Sequence, residues 1–387
     1  MRFLTIILLS AIIMTGASPL RADDTEFDPA KVSDSLKAIF QVRSLKTKQA
    51  ANANTVTLIS GTIGGTYVQF GADLASVLDD GNELRVLPIV GRGSVQSVAD
   101  ILFLQGVDLG IVRADTLDYL EKKGFAKDIK KQLTYVTKLY NEEMHVIAPK
   151  AIRSLRELEG KTVSVDLPNG GTFVTALIVF ERLGIKPNFV YLEQRIALEK
   201  LHKGEIDAVI AVQGKPSKII SQIKDDQLHF VPVEYAKALS DDYLPASLSA
   251  TDYPGLVSAS EEVQTIAVPA VLAAYNWAPE TDRYRKLALF VDRFFTKFPY
   301  FQNPPFHPKW KEVALSAPLP NWQRFPAAAQ WLEQHGIESV SRPFEELQQP
   351  PQASDKTLSD ADKEELFKQF RAWKMTHDNQ AKVAHQH

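Results

Sequence analysis

Cysteine is absent from the 387 residues. That excludes disulfides, a catalytic thiolate, cysteine-held zinc and iron–sulfur clusters. Histidine is sparse, eight in all, and none stands in H-E-x-x-H or another zinc spacing. Neither sign of charge dominates: 44 Lys and Arg against 47 Asp and Glu leave a formal −3, so no basic field favours nucleic acid. After residue 22 no apolar run approaches the length of a membrane span. The nucleotide motifs are missing too. "GTIGGTY" has neither the Gly-Lys-Ser/Thr of a P-loop nor the G-x-G-x-x-G of a dinucleotide fold, and "GRGSVQ" is not the G-x-S-x-G elbow. With no catalytic cluster in view, neither an enzymatic activity nor a cofactor is expected.

What is present begins with "MRFLTIILLSAIIMTGASPLRADD": one basic residue, an apolar core, then small and polar residues. This pattern predicts a secretory signal peptide over 1–22, cleaved after Ala22, with Ala17 as the alternative. Losing Arg2 and Arg21 takes the charge from −3 to −5. An exported chain without cysteine points to a bacterial periplasm. Residues 23–54 are polar and read as a leader and linker.

From Thr55 strand-like and helix-like segments alternate, as in a parallel sheet flanked by helices. "TVTLIS", "LRVLPIV", "VDLGIVRA", "LTYVTKLY" and "MHVIAP" read as separate strands, and the pattern then restarts at "KTVSVDLP". Gly64-Gly65-Thr66-Tyr67 matches Gly170-Gly171-Thr172-Phe173, and "QGVDLGIV" matches "KGEIDAVIAV". This internal repeat predicts two similar α/β lobes. Lobe one is placed at 55–143 and 268–340, and lobe two at 144–267. "EEMHVIAP" is expected to cross outward and "QTIAVPAVLAAY" to return, after which "RYRKLALFVDRFFTKF" packs on lobe one as a helix. Residues 341–387 form a linker and an amphipathic helix that either docks on the body or serves a partner.

Both glycine turns join a strand to a helix. Glycine lets backbone approach closely, and a helix N-terminus presents free N–H groups, so an anion is the expected ligand. Gly64, Gly65, Thr66 and Tyr67 from one lobe, and Gly170, Gly171 and Thr172 from the other, are the candidate donors. Arg113, at the end of a lobe-one strand, is expected to fork onto a carboxylate, with Arg92 in "VGRGSV" as a second cation. An arginine waiting in an open cleft supports no core, so stability without ligand should be indifferent to Arg113. Tyr67 or Phe173 would pack on the ligand's carbon chain or serve the core. Asp108 and Asp207, at matched repeat positions, should start a strand or cap a neighbouring turn. His145 reads as a satisfied hinge residue.

"ISGTIGGTYVQFGADLASVL", "VGRGSVQSVADI", "GVDLGIVRADTLDYL", "LYNEEMHVIA", "SLRELEGKTVSVDLPNGGTFVTA" and "GEIDAVIAVQGKP" occur in the order found in TAXI-type solute-binding proteins. The chain resembles these receptors of tripartite ATP-independent periplasmic (TRAP) transporters over roughly residues 55–340. The resemblance implies an α/β, bilobal periplasmic binding protein fold of the type II clamshell kind. It has two parallel-core sheets flanked by helices and joined by hinge strands. It further implies a glutamate-like amino acid, dicarboxylate or keto acid as ligand, and delivery to a TRAP-type permease. Arg92, Arg113 and Lys215 depart from the usual pattern and add cations near the cleft, and the tail after residue 340 lies outside that pattern. The alternative is a ligand-sensing receptor that signals to a partner, favoured by the C-terminal helix.

Overall fold

The computed structural model describes residues 52–80, 83–125, 128–168 and 170–337. The expected signal peptide (1–22), the leader up to residue 51 and the C-terminal linker and helix (341–387) lie outside the described residues.

The first repeat runs β1 (Thr55–Ile59), α1 (Thr66–Leu78), β2 (Arg85–Ile89), α2 (Ser94–Phe103) and β3 (Leu109–Arg113). Helices α3 (Ala114–Lys122) and α4 (Ile129–Gln132) lead into β4 (Leu133–Pro149). The second repeat is β5 (Thr162–Ser164), α5 (Gly171–Leu183), β6 (Asn188–Val190), α6 (Gln194–His202) and β7 (Ala208–Gln213). Then come β8 (Leu228–Phe230), β9 (Leu244–Ser249), β10 (Glu262–Tyr275), α7 (Asp282–Lys297) and α8 (Pro326–Gln334). In α1, Tyr67, Phe70, Leu74 and Leu78 recur at helical spacing and are all buried. The β-branched run of β1 buries Val56 and Leu58 on one face.

Strand order is β2-β1-β3-β10-β4-β7-β5-β6. Strands β2-β1-β3 are parallel to one another, as are β6-β5-β7, so the two repeats share one local order. Between them lies the antiparallel pair β4 and β10, paired from Leu133↔Tyr275 to Glu143↔Ala267 with register shifts between Leu272 and Ala273 and between Pro269 and Val271. Strand β3 adds to β10 through Ala270–Ala274, and β7 adds to β4 through Glu143–Ile147. Two α/β halves joined by two shared strands is the architecture of a periplasmic binding protein, as expected. The two expected sheets are continuous through those strands.

"LTYVTKLY" and "MHVIAP" are not separate strands but one 17-residue strand, β4. The polar "NEE" between them looks like a break in the sequence. Its carboxylates are instead buried and bonded: Glu142 to Tyr67 and Arg113, Glu143 to Lys309. Helix α7 packs against α1 and β1 as expected. Its Phe290 and Phe294 join Phe70, Phe301, Phe325 and Trp310 in one aromatic core, where Phe70 stacks on Trp310 at 4.0 Å between ring centres. The second half has its own core of Val146, Val163, Phe180 and Ile210.

The matched aspartates do matched work. Asp108 Oδ2 accepts from Thr57 N at 3.0 Å, and Asp207 Oδ2 accepts from Thr162 N at 2.8 Å. Each ties the last strand of its repeat to the first. Asp108 is also paired with Arg283 at 3.0 Å and Lys286 at 3.4 Å from α7. Asp108→Ala should therefore destabilise the chain by about 3 kcal/mol, because it strands two cations beside a buried strand end. Asp207→Ala, at a half-exposed site, should cost only about 1 kcal/mol. Urea unfolding of both variants checks this; equal losses would contradict it.

Candidate functional site

Three helices open at one place without side-chain caps. Helix α1 begins after Gly65, α2 after Gly93 and α5 after Gly170; none carries an acidic residue in its first turn. Two helices elsewhere are capped, α7 by Thr281 accepting from Tyr284 N and α6 by Glu193 accepting from two backbone amides, whereas α3, α4 and α8 have no side-chain cap. The uncapped ends leave N–H groups and positive dipole ends facing a common space. The two halves meet there backbone to backbone. Gly93 has φ 110°, and a Cβ on it would lie 2.9 Å from Gly170 Cα.

Arg113 ends β3 and is only 6% exposed. Its Nε donates to Glu142 Oε2 at 2.5 Å, Nη2 donates to Val212 O of the other half, and its backbone N donates to Ser94 Oγ at 3.0 Å. Burial alone would lower its pKa. Glu142, then Tyr67 and Asp115, overcome that and the net shift is upward. Glu142, 2% exposed, also accepts from the Tyr67 hydroxyl at 2.8 Å. Burial first, then Glu142, raises the Tyr67 pKa well above the usual phenol value, so Tyr67 is a neutral donor.

These groups surround a small cavity of about 60 Å³. Three buried polar atoms of its lining have no hydrogen-bond partner among the described residues: Arg113 Nη1, Ser164 Oγ and Gln194 Nε2. All three can donate. A buried donor left unmade is costly, so their convergence marks a place for an acceptor. The arrangement offers no nucleophile–base pair. His145 lies elsewhere, with Nδ1–H donating to Ala211 O at 3.3 Å and Nε2 accepting from Tyr253 at 2.8 Å. Burial pushes its pKa down to about 3. Among the described residues no group of His, Asp and Glu is placed to hold a metal.

Gly65, Thr66, Tyr67, Arg92, Arg113, Gly170, Gly171 and Thr172 all line this cavity. Two of the expected residues do not. Gly64, at φ 85°, makes the left-handed turn beneath it, and Phe173 packs edge-on to Tyr191 at 5.5 Å. Lys215 is likewise elsewhere, paired with Asp252 at 2.8 Å. Arg113 does not wait in open space but is held by Glu142 and Val212. Sequence reasoning missed Ser94, Glu142, Ser164, Asp166 and Gln194. "GRGS" signalled Ser94, since a small residue after a glycine turn opens a helix. Nothing local signalled the other four.

Asp115, two residues past Arg113 and 2% exposed, ties the halves together beside the cavity. Its Oδ2 accepts from Thr175 Oγ1 of α5 at 2.7 Å and from the Tyr243 hydroxyl at 3.1 Å. Burial pushes its pKa up to about 6, against the hydrogen bonds and Arg113, which lower it.

Residues 58–292 match the model of the NMT1-like family. Among solved structures, the fold is similar to the periplasmic binding protein BugD, at 14% identity and TM-score 0.45, over 73% of this chain and 98% of that one. It is similar to XAC2383 from Xanthomonas citri bound to ATP, at 11% and 0.43, over 73% and 95%. A histidine kinase sensor domain with similarity to periplasmic binding proteins matches at 12% and 0.42, over 67% and 96%.

Proposed function

The chain belongs to the NMT1-like family of periplasmic-binding-protein type, and from that premise we propose that it is a periplasmic receptor that closes two lobes on a small organic anion. The observation that carries this is Arg113 Nη1: a buried cationic donor without a partner among the described residues, beside three uncapped helix ends. Lobe one comprises 55–143 and 268–340 and lobe two 144–267. The ligand's carboxylate takes Arg113 Nη1 and the amides of the two glycine turns, while Arg92 guards the mouth. The sequence resemblance supports the finer reading, delivery to a TRAP-type permease. Export by the 1–22 leader belongs to the same proposal. No helix among the described residues is long and apolar enough to cross a membrane.

The test is a melting-temperature screen of the exported chain against amino acids, keto acids and dicarboxylates. A ligand at a hundredfold excess over its Kd should stabilise by about 2.7 kcal/mol. No shift with any small anion would refute the proposal.

Closure also predicts a pH dependence. With the halves apart, Asp115 should titrate like an ordinary aspartate, near about 3.9; closed, its pKa is about 6. The closed form then binds more protons between these values. Its advantage is full below about pH 4 and is lost as pH rises through about 6. Affinity for a ligand of constant charge should rise about tenfold from pH 7 to pH 5, and Asp115→Asn should flatten that dependence. Calorimetry at the two pH values checks it; tighter binding at pH 7 would reverse the sign and contradict it.

A further inference from the structure

The cavity holds a carboxylate that the anion site does not need. Asp166 lines it, in the turn between β5 and α5. It makes no ion pair among the described residues. The Leu167 amide bonds to its carboxylate, and the Arg113 charge acts on it only at longer range. Arg113 does not bond to it: Nε and Nη2 are taken by Glu142 and Val212, and Nη1 makes no hydrogen bond to any described residue. Arg113 pairs with Glu142, Arg92 is exposed, and Asp166 remains as a half-buried acid without an ion-pair partner among the described residues. Burial raises its pKa, as an unpaired acid in such a place requires.

Its position relative to the anion seat is set by two adjacent residues. A Cβ on Gly170 would lie 3.4 Å from Asp166 Oδ2, and a Cβ on Gly171 would overlap Arg113 Nη1. The unpartnered donor and the acid thus flank consecutive residues at the start of α5. Asp166 holds φ 64°, a left-handed backbone that Asp and Asn tolerate better than most residues. A second carboxylate on the ligand would meet Asp166 as a like charge. An ammonium would meet it as the missing partner.

Resting on the anion-receptor reading, we propose that Asp166 is the cation-accepting seat of the same cavity. The preferred ligand is then a small zwitterion, a primary or secondary ammonium beside a carboxylate. A dicarboxylate or keto acid fits less well. Asp166 is the specificity-determining residue, and Arg113 with the helix ends is the anchor.

Matched skeletons test this on the wild-type chain: glutamate, 2-oxoglutarate and glutarate; aspartate, oxaloacetate and succinate; leucine and its 2-oxo acid. Calorimetry at fixed pH and ionic strength should find the ammonium-bearing member of any binding set tighter by about tenfold or more. Asp166→Asn should lower amino-acid affinity by at least about tenfold, leave keto-acid affinity within about threefold, and keep the melting temperature of the free chain. An oxo acid or dicarboxylate that binds the wild type as tightly as its amino analogue would overturn the proposal, whatever the variant does. So would amino-acid affinity unchanged in Asp166→Asn. Absence of binding across every set is a different failure: it removes the anion-receptor reading and this inference with it.

Discussion

Arg113→Ala should lose both ligand and stability. Removing a close charge partner of a bound carboxylate costs roughly 2–5 kcal/mol of affinity. The stability loss has a separate cause. Glu142 is 2% exposed, and without Arg113 its carboxylate keeps only the Tyr67 hydroxyl at 2.8 Å and a long contact to Tyr140 at 3.5 Å. Stranding a buried charge in this way costs about 3–5 kcal/mol. This replaces the sequence-based expectation that the free chain would be indifferent to Arg113. Arg113→Lys keeps the charge but cannot serve Glu142, Val212 and a ligand together, because it lacks the planar fork. It should fall between alanine and wild type in both measurements. The double variant Arg113→Met with Glu142→Gln separates the two effects: stability should recover while binding stays lost. Urea unfolding and calorimetry on all three provide the check. An Arg113→Ala chain of wild-type stability would mean that the Glu142 pair is not as buried as described.

Gly171→Ala, a single methyl, should be the second large effect. The new Cβ would overlap Arg113 Nη1 and come within 2.8 Å of Ser94 Oγ and 2.9 Å of Arg113 Cζ. A long side chain ordinarily moves aside for a methyl. Here Nε is fixed by Glu142 and Nη2 by Val212, so the guanidinium has nowhere to go without breaking a buried pair. Both obstructing residues belong to the first repeat and Gly171 to the second. The clash therefore exists only when the halves are together. The variant should fold with near-wild-type stability in its open form, bind ligand about 10- to 100-fold more weakly, and scatter as a more expanded particle. Wild-type affinity in this variant would show that the halves do not meet at Gly171 when ligand is bound.

Much of the fold is legible in the sequence. The repeat was visible because each half repeats a glycine turn and a strand-opening aspartate at corresponding points. Asp108 and Asp207 cap strands as that pattern predicts. The glycine turns pointed to the cavity lining because each opens a helix without a side-chain cap. Glu142 was hidden for a physical reason. A glutamate in "YNEEMH" reads as an interruption of a strand, since a lone buried carboxylate is prohibitively costly. Its partners Tyr67 and Arg113 lie 75 and 29 residues away, and no local pattern reports such distances. Ser164, Asp166 and Gln194 were hidden for the same reason: each is ordinary in its own segment and becomes a site only where the two halves meet. Phe173, read as packing on either a ligand or the core, lies outside the cavity lining. The repeat aligned it with Tyr67, but Tyr67 has an acid to serve and Phe173 has a neighbouring tyrosine to pack against.

The most direct test of the account is a crystal structure of the chain with the tightest ligand from the melting screen. A ligand oxygen should sit within hydrogen-bonding distance, about 3 Å, of Arg113 Nη1 and of the Gly171 amide, with Glu142 still on Nε. A ligand bound elsewhere, with Arg113 Nη1 still lacking a partner, would contradict the central claim.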